Sequence, residues 1–334
     1  MSKASQWHDE VWTERYGHIC PPKKGEIVHI EGLPGKDTYN PALYEFNTTK
    51  ILAFRTEKRD TTPDQPSNYH PTINFARPHA GGWKLDPYIE HFDMMEDPFF
   101  TYVEEKGVQK VIFGGVRVRN IHGELIPQTE FYKGDTLEDL EYISFAVIHN
   151  MKDVRVLQLP DGRFLLCRRP RGDKYERGRI VLHIIDSLDI LPDIDKLKLP
   201  VIAVLDSGQN ALDWVGVNEV RILKDSQGHA WVGLLGHVAL EDHEGNIHYA
   251  ACTYKISLEA LLDKNVHKIL PQIIATRSCF QTGPSKTDKI RDVIFPGHLE
   301  HIKDYTYRLW AGLSDTRIGA LEIDDPFKLR DIEK

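Results

Sequence analysis

Five polar positions recur along this chain in one setting, each just ahead of a β-branched or aromatic run: Asn40, Asp97, Asp153, Asn218 with Glu219, and Asp292. Carboxylates brought together repel, so their proton affinities separate and one of them can stay protonated near neutral pH. A protonated acid beside an ionised one suits general acid–base work at a glycosidic bond. Asp or Asn ahead of a strand also caps turns through its own backbone, and that reading stays open for any single position. A second group is basic. Arg168, Arg169, Arg171, Lys174, Arg177 and Arg179 place six cations within 12 residues of an otherwise acidic chain. Arginine forks match phosphate or carboxylate geometry, so this stretch reads as an anion pocket or as a solvated loop paired with Asp173 and Glu176.

The elements that must position these groups are strands. Runs such as Lys110–Phe113, Arg155–Leu159, Arg179–Ile185 and Pro200–Leu205 are bounded by Gly, Pro, Asp or Asn. Pro160–Arg163, Ser226–His229 and His243–Asn246 read as hairpin tips. The one helical pattern is Ser257 to Lys264, with Ser257 as its N-cap. The hairpin plan restarts near residues 40, 97, 153, 219 and 292, at intervals of 57, 56, 66 and 73 residues. Four short strands with their loops need roughly that length, so the repeat predicts an all-β fold, a single five-bladed β-propeller domain over residues 1–334. A β-sandwich also supplies many short strands but does not restart one hairpin on this period. In a propeller the innermost strands face one axis, so Asn40, Asp97, Asp153, Glu219 and Asp292 are expected to head five inner strands in five separate sheets.

The remaining composition narrows the function. The net charge of −8 lacks the basic footprint of a nucleic-acid binder. No apolar run approaches the ~20 residues of a membrane span, and the polar start Met1–Gln6 has no apolar core of a secretory signal, which predicts a cytoplasmic protein. Cys20, Cys167, Cys252 and Cys279 form no CxxC pair, so they read as buried or incidental thiols rather than a zinc site. No metal-binding spacing, P-loop or dinucleotide fingerprint occurs, and no cofactor is expected. Trp214 could stack on a sugar ring or pack between blades. His237 and His298, each following a Gly, could donate to a substrate or serve the fold. Thr56 to Asp86, Pro-rich and polar with Tyr69–Pro71 and Ala76–His79 inside it, reads as a long inter-blade loop, a lid or a connector.

Gly35–Pro41, Glu96-Asp97-Pro98 and Phe113–Arg117 resemble the β-fructosidase-like clan of five-bladed propellers, and within it the mannoside phosphorylases and hydrolases of glycoside hydrolase family 130. A closer resemblance is to a family of the same clan, the domain of unknown function numbered 1861. It rests on Arg169–Gly172 with Arg177–Arg179, Trp214–Glu219, Gly236–Ala239, Asp292–Phe295, Ala311–Asp315 and Asp325–Phe327. The resemblance implies a carbohydrate-active enzyme, a glycoside hydrolase or phosphorylase acting on a small soluble oligosaccharide or sugar phosphate, a mannoside among them. It puts Asp97 at the catalytic acid, with Glu219 or Asp153 to activate water or tune the acid and Asp37 on a sugar hydroxyl. Asn40, Arg117, Arg169, Arg171, Trp214, Asn218, His237, Asp292 and His298 are then the substrate and phosphate contacts. Phe99 stands where the phosphorylases carry a phosphate-binding Arg, a departure that argues against simple phosphorolysis. A non-catalytic propeller that senses a sugar or sugar phosphate is the alternative. A WD-type interaction scaffold is disfavoured, because the chain has no Trp-Asp dipeptide.

Overall fold

A computed structural model describes residues 12–16, 24–46, 48–59, 69–122, 124–143, 148–149, 151–170, 177–194, 197–209 and 212–330. The fold is all-β, because the alternating apolar runs pair with their neighbours through short turns. The first sheet is built from Lys36–Phe46, Thr49–Lys58, Thr72–His79 and Gly82–Leu85, with Ile30–Glu31 added in parallel at its outer edge. The second holds Met95–Glu105, Val108–Ile121 and Glu124–Gly134, and the third Arg155–Gln158, Phe164–Arg168, Ile180–Ile185 and Ala203–Leu205. The fourth is larger and has two antiparallel halves. One half is Trp214–Lys224, Ala230–Glu241 and Ile247–Ser257, with Gln272–Ala275 at its side; the other is Asp292–Lys303, Thr306–Leu313 and Arg317–Asp324. A parallel contact of two residue pairs, His248 with Asp292 and Tyr249 with Val293, joins the halves. Glu26–Val28 pairs with Arg317–Asp324 and completes the second half.

Among the described residues no sheet closes on itself, but the first strands touch in a cycle. Lys36–Phe46 packs on Met95–Glu105, that strand on Arg155–Gln158, and that one on Trp214–Lys224; Trp214–Lys224 meets Asp292–Lys303, which returns to Lys36–Phe46. Apolar clusters of described residues lie between neighbouring sheets and half-sheets. Phe75 and Phe113 lie in the first, Phe131 and Leu166 in the second, Leu165 and Val217 in the third, Leu235 and Leu309 in the fourth, and Phe54 and Ile318 in the last. The expected turns and the helix are present, Leu258–Leu262 being capped by the Ser257 hydroxyl on the Ala260 amide. Among the described residues no helix is long and apolar enough to cross a membrane.

Two expectations about the strand heads need correction. Glu219 and Asp292 lie in one continuous sheet, because the His248–Asp292 contact bridges its halves. Asp292 is the first residue of its strand and Asp153 stands two residues ahead of Arg155–Gln158, but Asn40, Asp97 and Asn218 sit at interruptions inside their strands, with Glu219 paired just after one. The ladder skips Asn40-Pro41, Asp97-Pro98, Asn218 and Gly297. Proline has no N–H to give the ladder, and the unpaired residue before it bulges out. Asn40, Asp97 and Asp153 adopt φ of 48°, 55° and 55°, a left-handed region that Asn and Asp tolerate better than other side chains. In the last unit the bulge falls on Gly297, not Asp292. A Cβ there would stand 1.6 Å from the Pro41 carbonyl oxygen, so only glycine admits the neighbouring bulge.

Candidate active site

The bulge of the second sheet carries the pair Glu96 and Asp97, both buried. Asp97 accepts a hydrogen bond from Asn40 Nδ2 at 2.7 Å, and Arg55 Nη1 stands 3.6 Å away. Glu96 takes the stronger partners: Arg55 Nη1 at 2.7 Å, the Lys152 ammonium and the Tyr69 hydroxyl. Burial pushes both carboxyls up, but for Glu96 the Arg55 and Lys152 charges win and hold it well below the carboxylate range. Asp97 goes the other way, raised by burial and by the Glu96 charge beside it. Two adjacent acids with proton affinities forced apart are the arrangement that general acid catalysis needs. Arg55 is itself fixed, donating from Nε to Glu57 at 2.7 Å and from Nη2 to Tyr69 at 2.6 Å.

The next positions form a second buried group. Asp153 is paired with the Arg169 guanidinium, and despite burial that charge, with His237 and Arg155, lowers its carboxyl to about 2. His237 is fully buried, its Nδ1 2.9 Å from Asn218 Oδ1 and its Nε2 3.9 Å from Asp153. Burial brings its imidazole down to about 4 even with Asp153 pulling upward, so the ring is neutral at pH 7. Tyr249 stacks on the ring at 4.9 Å and Phe295 tilts against it at 5.3 Å. Gly216 makes this packing feasible, since a Cβ there would meet His237 Cε1 at 2.4 Å and Asp153 Oδ2 at 2.5 Å. Arg155 donates to the Asn218 carbonyl at 2.6 Å and lies 3.9 Å over the Phe99 ring, so a cation from the next strand covers that side chain. Three buried polar atoms, Asn40 Oδ1, Asn218 Nδ2 and His237 Nε2, make no hydrogen bond to the described residues. Buried polar groups rarely stay unpaired unless a ligand or water answers them.

The structure therefore brings Asn40 and Asp97 into direct contact, and links Asp153, Arg169, Asn218 and His237. The other expected site residues are engaged elsewhere. Glu219 binds the Arg221 guanidinium, His298 Nδ1 at 3.2 Å and the Leu299 amide at 2.8 Å, and despite burial these hold it down to about 2. His298 also approaches Glu45, near the far end of its strand, at 3.9 Å. Asp37 pairs with Lys286 at 3.1 Å and Arg59 at 3.2 Å. Asp292 pairs with His248 at 2.8 Å. Arg117 is spent on Glu130 at 2.9 Å, Tyr132 at 2.8 Å and the Asp93 carbonyl. Trp214 is buried with Arg177 4.2 Å over its ring, so that face is already covered. Arg171 lies outside the described residues. The stretch Thr56 to Asp86 is only partly a loop: Thr72–His79 and Gly82–Leu85 complete the first sheet. Tyr69 nonetheless reaches Glu96 from it.

Arg55, Tyr69, Lys152 and Arg155 carry no motif, and only the tertiary contacts disclose them. Asp315 closes the run Ala311–Asp315. It occupies the turn after Thr306–Leu313 with φ of 53°, half-buried. Burial, with Asp97, Glu57 and Glu96 nearby and Arg55 opposing, raises its carboxyl to about 6.

No curated protein matches the chain. Among solved structures, it is similar to a mannose phosphorylase from Leishmania mexicana in complex with phosphate ion, with TM-score 0.76 and 25% identity over 98% of this chain and 95% of that one. A GDP-Man-dependent mannosyltransferase from Leishmania mexicana aligns with TM-score 0.74 and 25% identity, over 96% of this chain and 94% of that one. A β-1,2-mannobiose phosphorylase from Listeria innocua shares the fold at TM-score 0.58 and 14% identity, over 90% and 94%. The family model described as Protein of unknown function (DUF1861) spans residues 21–329, and the chain belongs to that family.

Proposed function

We propose that this chain is a five-bladed β-propeller enzyme that cleaves a glycosidic bond in a small mannose-containing saccharide, with phosphate as the acceptor. The observation that carries the reading is the Glu96–Asp97 pair, in which an ionised neighbour and burial together keep Asp97 able to hold a proton. The cycle of first strands and the five intervening apolar clusters support the propeller. In the reaction the Asp97 O–H protonates the bridging oxygen as the C–O bond breaks, and a phosphate oxygen attacks the anomeric carbon from the opposite face. The products are a sugar 1-phosphate and the shortened saccharide. Asn40 orients Asp97, while Lys152, Arg155 and Arg169 supply positive potential for the acceptor. Phosphate needs no base, and Asp153, Glu96 and Glu57 are each already paired with a cation. The likeness to a mannose phosphorylase at 25% identity supports the same choice.

Hydrolysis is the competing outcome, and Asp315 is the residue that favours it. A carboxyl near 6 is mostly ionised at pH 7 and able to take a proton from water. Purified protein incubated with manno-oligosaccharides, with and without inorganic phosphate, separates the two by whether sugar 1-phosphate or free mannose accumulates. Asp97→Asn keeps the shape and the hydrogen bonding but removes the acid, so turnover should fall ~10²–10⁴-fold with affinity close to wild type. Ligand binding without turnover in wild type would make the protein a sugar sensor.

A further inference from the structure

Arg277 and Arg317 are side by side near the turn that carries Asp315, and no described carboxylate pairs with either. Arg277 is buried, donating from Nε to Ser314 Oγ at 3.1 Å and from Nη1 to the Gln281 carbonyl at 3.0 Å. Arg317, the first residue of Arg317–Asp324, packs its guanidinium on Gly283, where a Cβ would fall 1.6 Å from Nη2. Its Nε and Nη2 are buried and bond to no described residue. Both guanidinium groups lie below their ordinary range, Arg277 at about 10, because burial strips them of water; Arg317 adds like-charge repulsion to Arg277. The acid that most bears on Arg277 is Asp292, which already binds His248. Two neighbouring desolvated cations with no described carboxylate paired to either are costly, and an anion bound to both removes that cost.

We propose that Arg277 and Arg317 form a binding site for a phosphoryl group, and that the substrate is accordingly a phosphorylated sugar. The inference rests on the carbohydrate reading above and adds the substrate class to it. Arg317 follows Asp315 by two residues, a separation of at most about 7 Å along the chain. One ligand can thus place its ring at the Asp97 and Asp315 carboxyls and its phosphoryl group on the arginine pair. The central cations remain available to the acceptor.

The test is calorimetry at constant ionic strength with mannose 6-phosphate, mannose and inorganic phosphate. Mannose 6-phosphate carries its phosphoryl group away from the anomeric carbon, so it does not imitate the product of cleavage. Arg317→Gln and Arg277→Gln should each weaken mannose 6-phosphate about tenfold or more, the effect of losing a charged hydrogen bond, and leave mannose unchanged. A parallel loss for inorganic phosphate shows that the free anion is bound too; a loss confined to the sugar phosphate shows that the esterified group is the ligand. Arg317→Gln should keep or raise Tm, since its buried Nε and Nη2 bond to no described residue, and it decides the matter should Arg277→Gln fail to fold. A fall in Tm with unchanged mannose 6-phosphate affinity would assign Arg317 to the fold and overturn the site, as would wild type binding mannose 6-phosphate no better than mannose. Arginine-dependent binding without cleavage of any glycoside would leave the site standing and remove the proposed reaction.

Discussion

His237 offers the sharpest physical test of the buried group at Asp153. Its ring is fully buried between Tyr249 and Phe295, and its imidazole drops from an ordinary 6.5 to about 4. Burial is the main cause; Arg169 and Arg155 push the same way and Asp153 opposes them. A His whose folded value lies below its unfolded one favours the folded state fully above pH 6.5 and loses that contribution as pH falls towards 4. Each tenfold in proton affinity is worth about 1.4 kcal/mol, so the full displacement amounts to about 3 kcal/mol. Between about pH 7.5 and about pH 4.5, roughly 2.5 kcal/mol of it should disappear. His237→Gln can still donate to Asn218 Oδ1 but does not titrate. Urea unfolding of both proteins across that range should show wild type losing about 2.5 kcal/mol more than the variant. Asp153 is depressed to about 2, so its contribution fades at lower pH, and both proteins share it. His248 and His298 are raised despite burial by their acidic partners, so theirs is present below 6.5 and fades as pH rises, again equally in both. Parallel loss of stability in the two proteins would refute a neutral, desolvated His237.

Three further outcomes follow from the same geometry. Because Asp97 must be protonated to act and its affinity for the proton is raised by Glu96, activity should fall as pH rises through its titration. Glu96→Gln should move that limb to lower pH in a kcat/KM profile, and an unmoved limb would separate Glu96 from the acid. Arg55→Gln leaves Glu57 and Glu96 buried beside one charge fewer, at a cost of about 3–5 kcal/mol by chemical denaturation. Gly216→Ala forces His237 and Asp153 apart and should cost about 1–3 kcal/mol, whereas Gly297→Ala meets backbone at Pro41 and should be worse. Equal, small effects on Tm at the two glycines would show that the inner strands adjust more freely than their packing implies.

Much of the architecture was legible in the residues alone. Alternating apolar runs, Gly-bearing turns and a hairpin restarting every 56–73 residues are local properties, and they point to successive antiparallel units. Asn40 and Asp97 were legible as recurring polar positions but as strand heads; each precedes a proline, so two adjacent residues encode the bulge the structure shows. The fifth is not so encoded: Asp292 matched by spacing, but the bulge of that unit is Gly297, which has no side chain to signal it. Glu219 looked equivalent to Asp97, yet it neighbours the bulged Asn218 instead of occupying the bulge, and it turns to Arg221 and His298.

What the sequence by itself determined is the strand pattern, the repeat and the identity of the groups capable of acid chemistry. Only the tertiary structure decided which of those groups act together. A carboxylate's proton affinity depends on the charges within a few ångströms and on the water excluded around it, and those neighbours come from distant parts of the chain: Arg55 and Tyr69 against Glu96, Arg169 against Asp153, Asp315 near Asp97. Arg277 and Arg317, paired with no described carboxylate, follow the same rule. Each is an ordinary cation in the sequence, and only folding buries the two near one another with no described carboxylate paired to either.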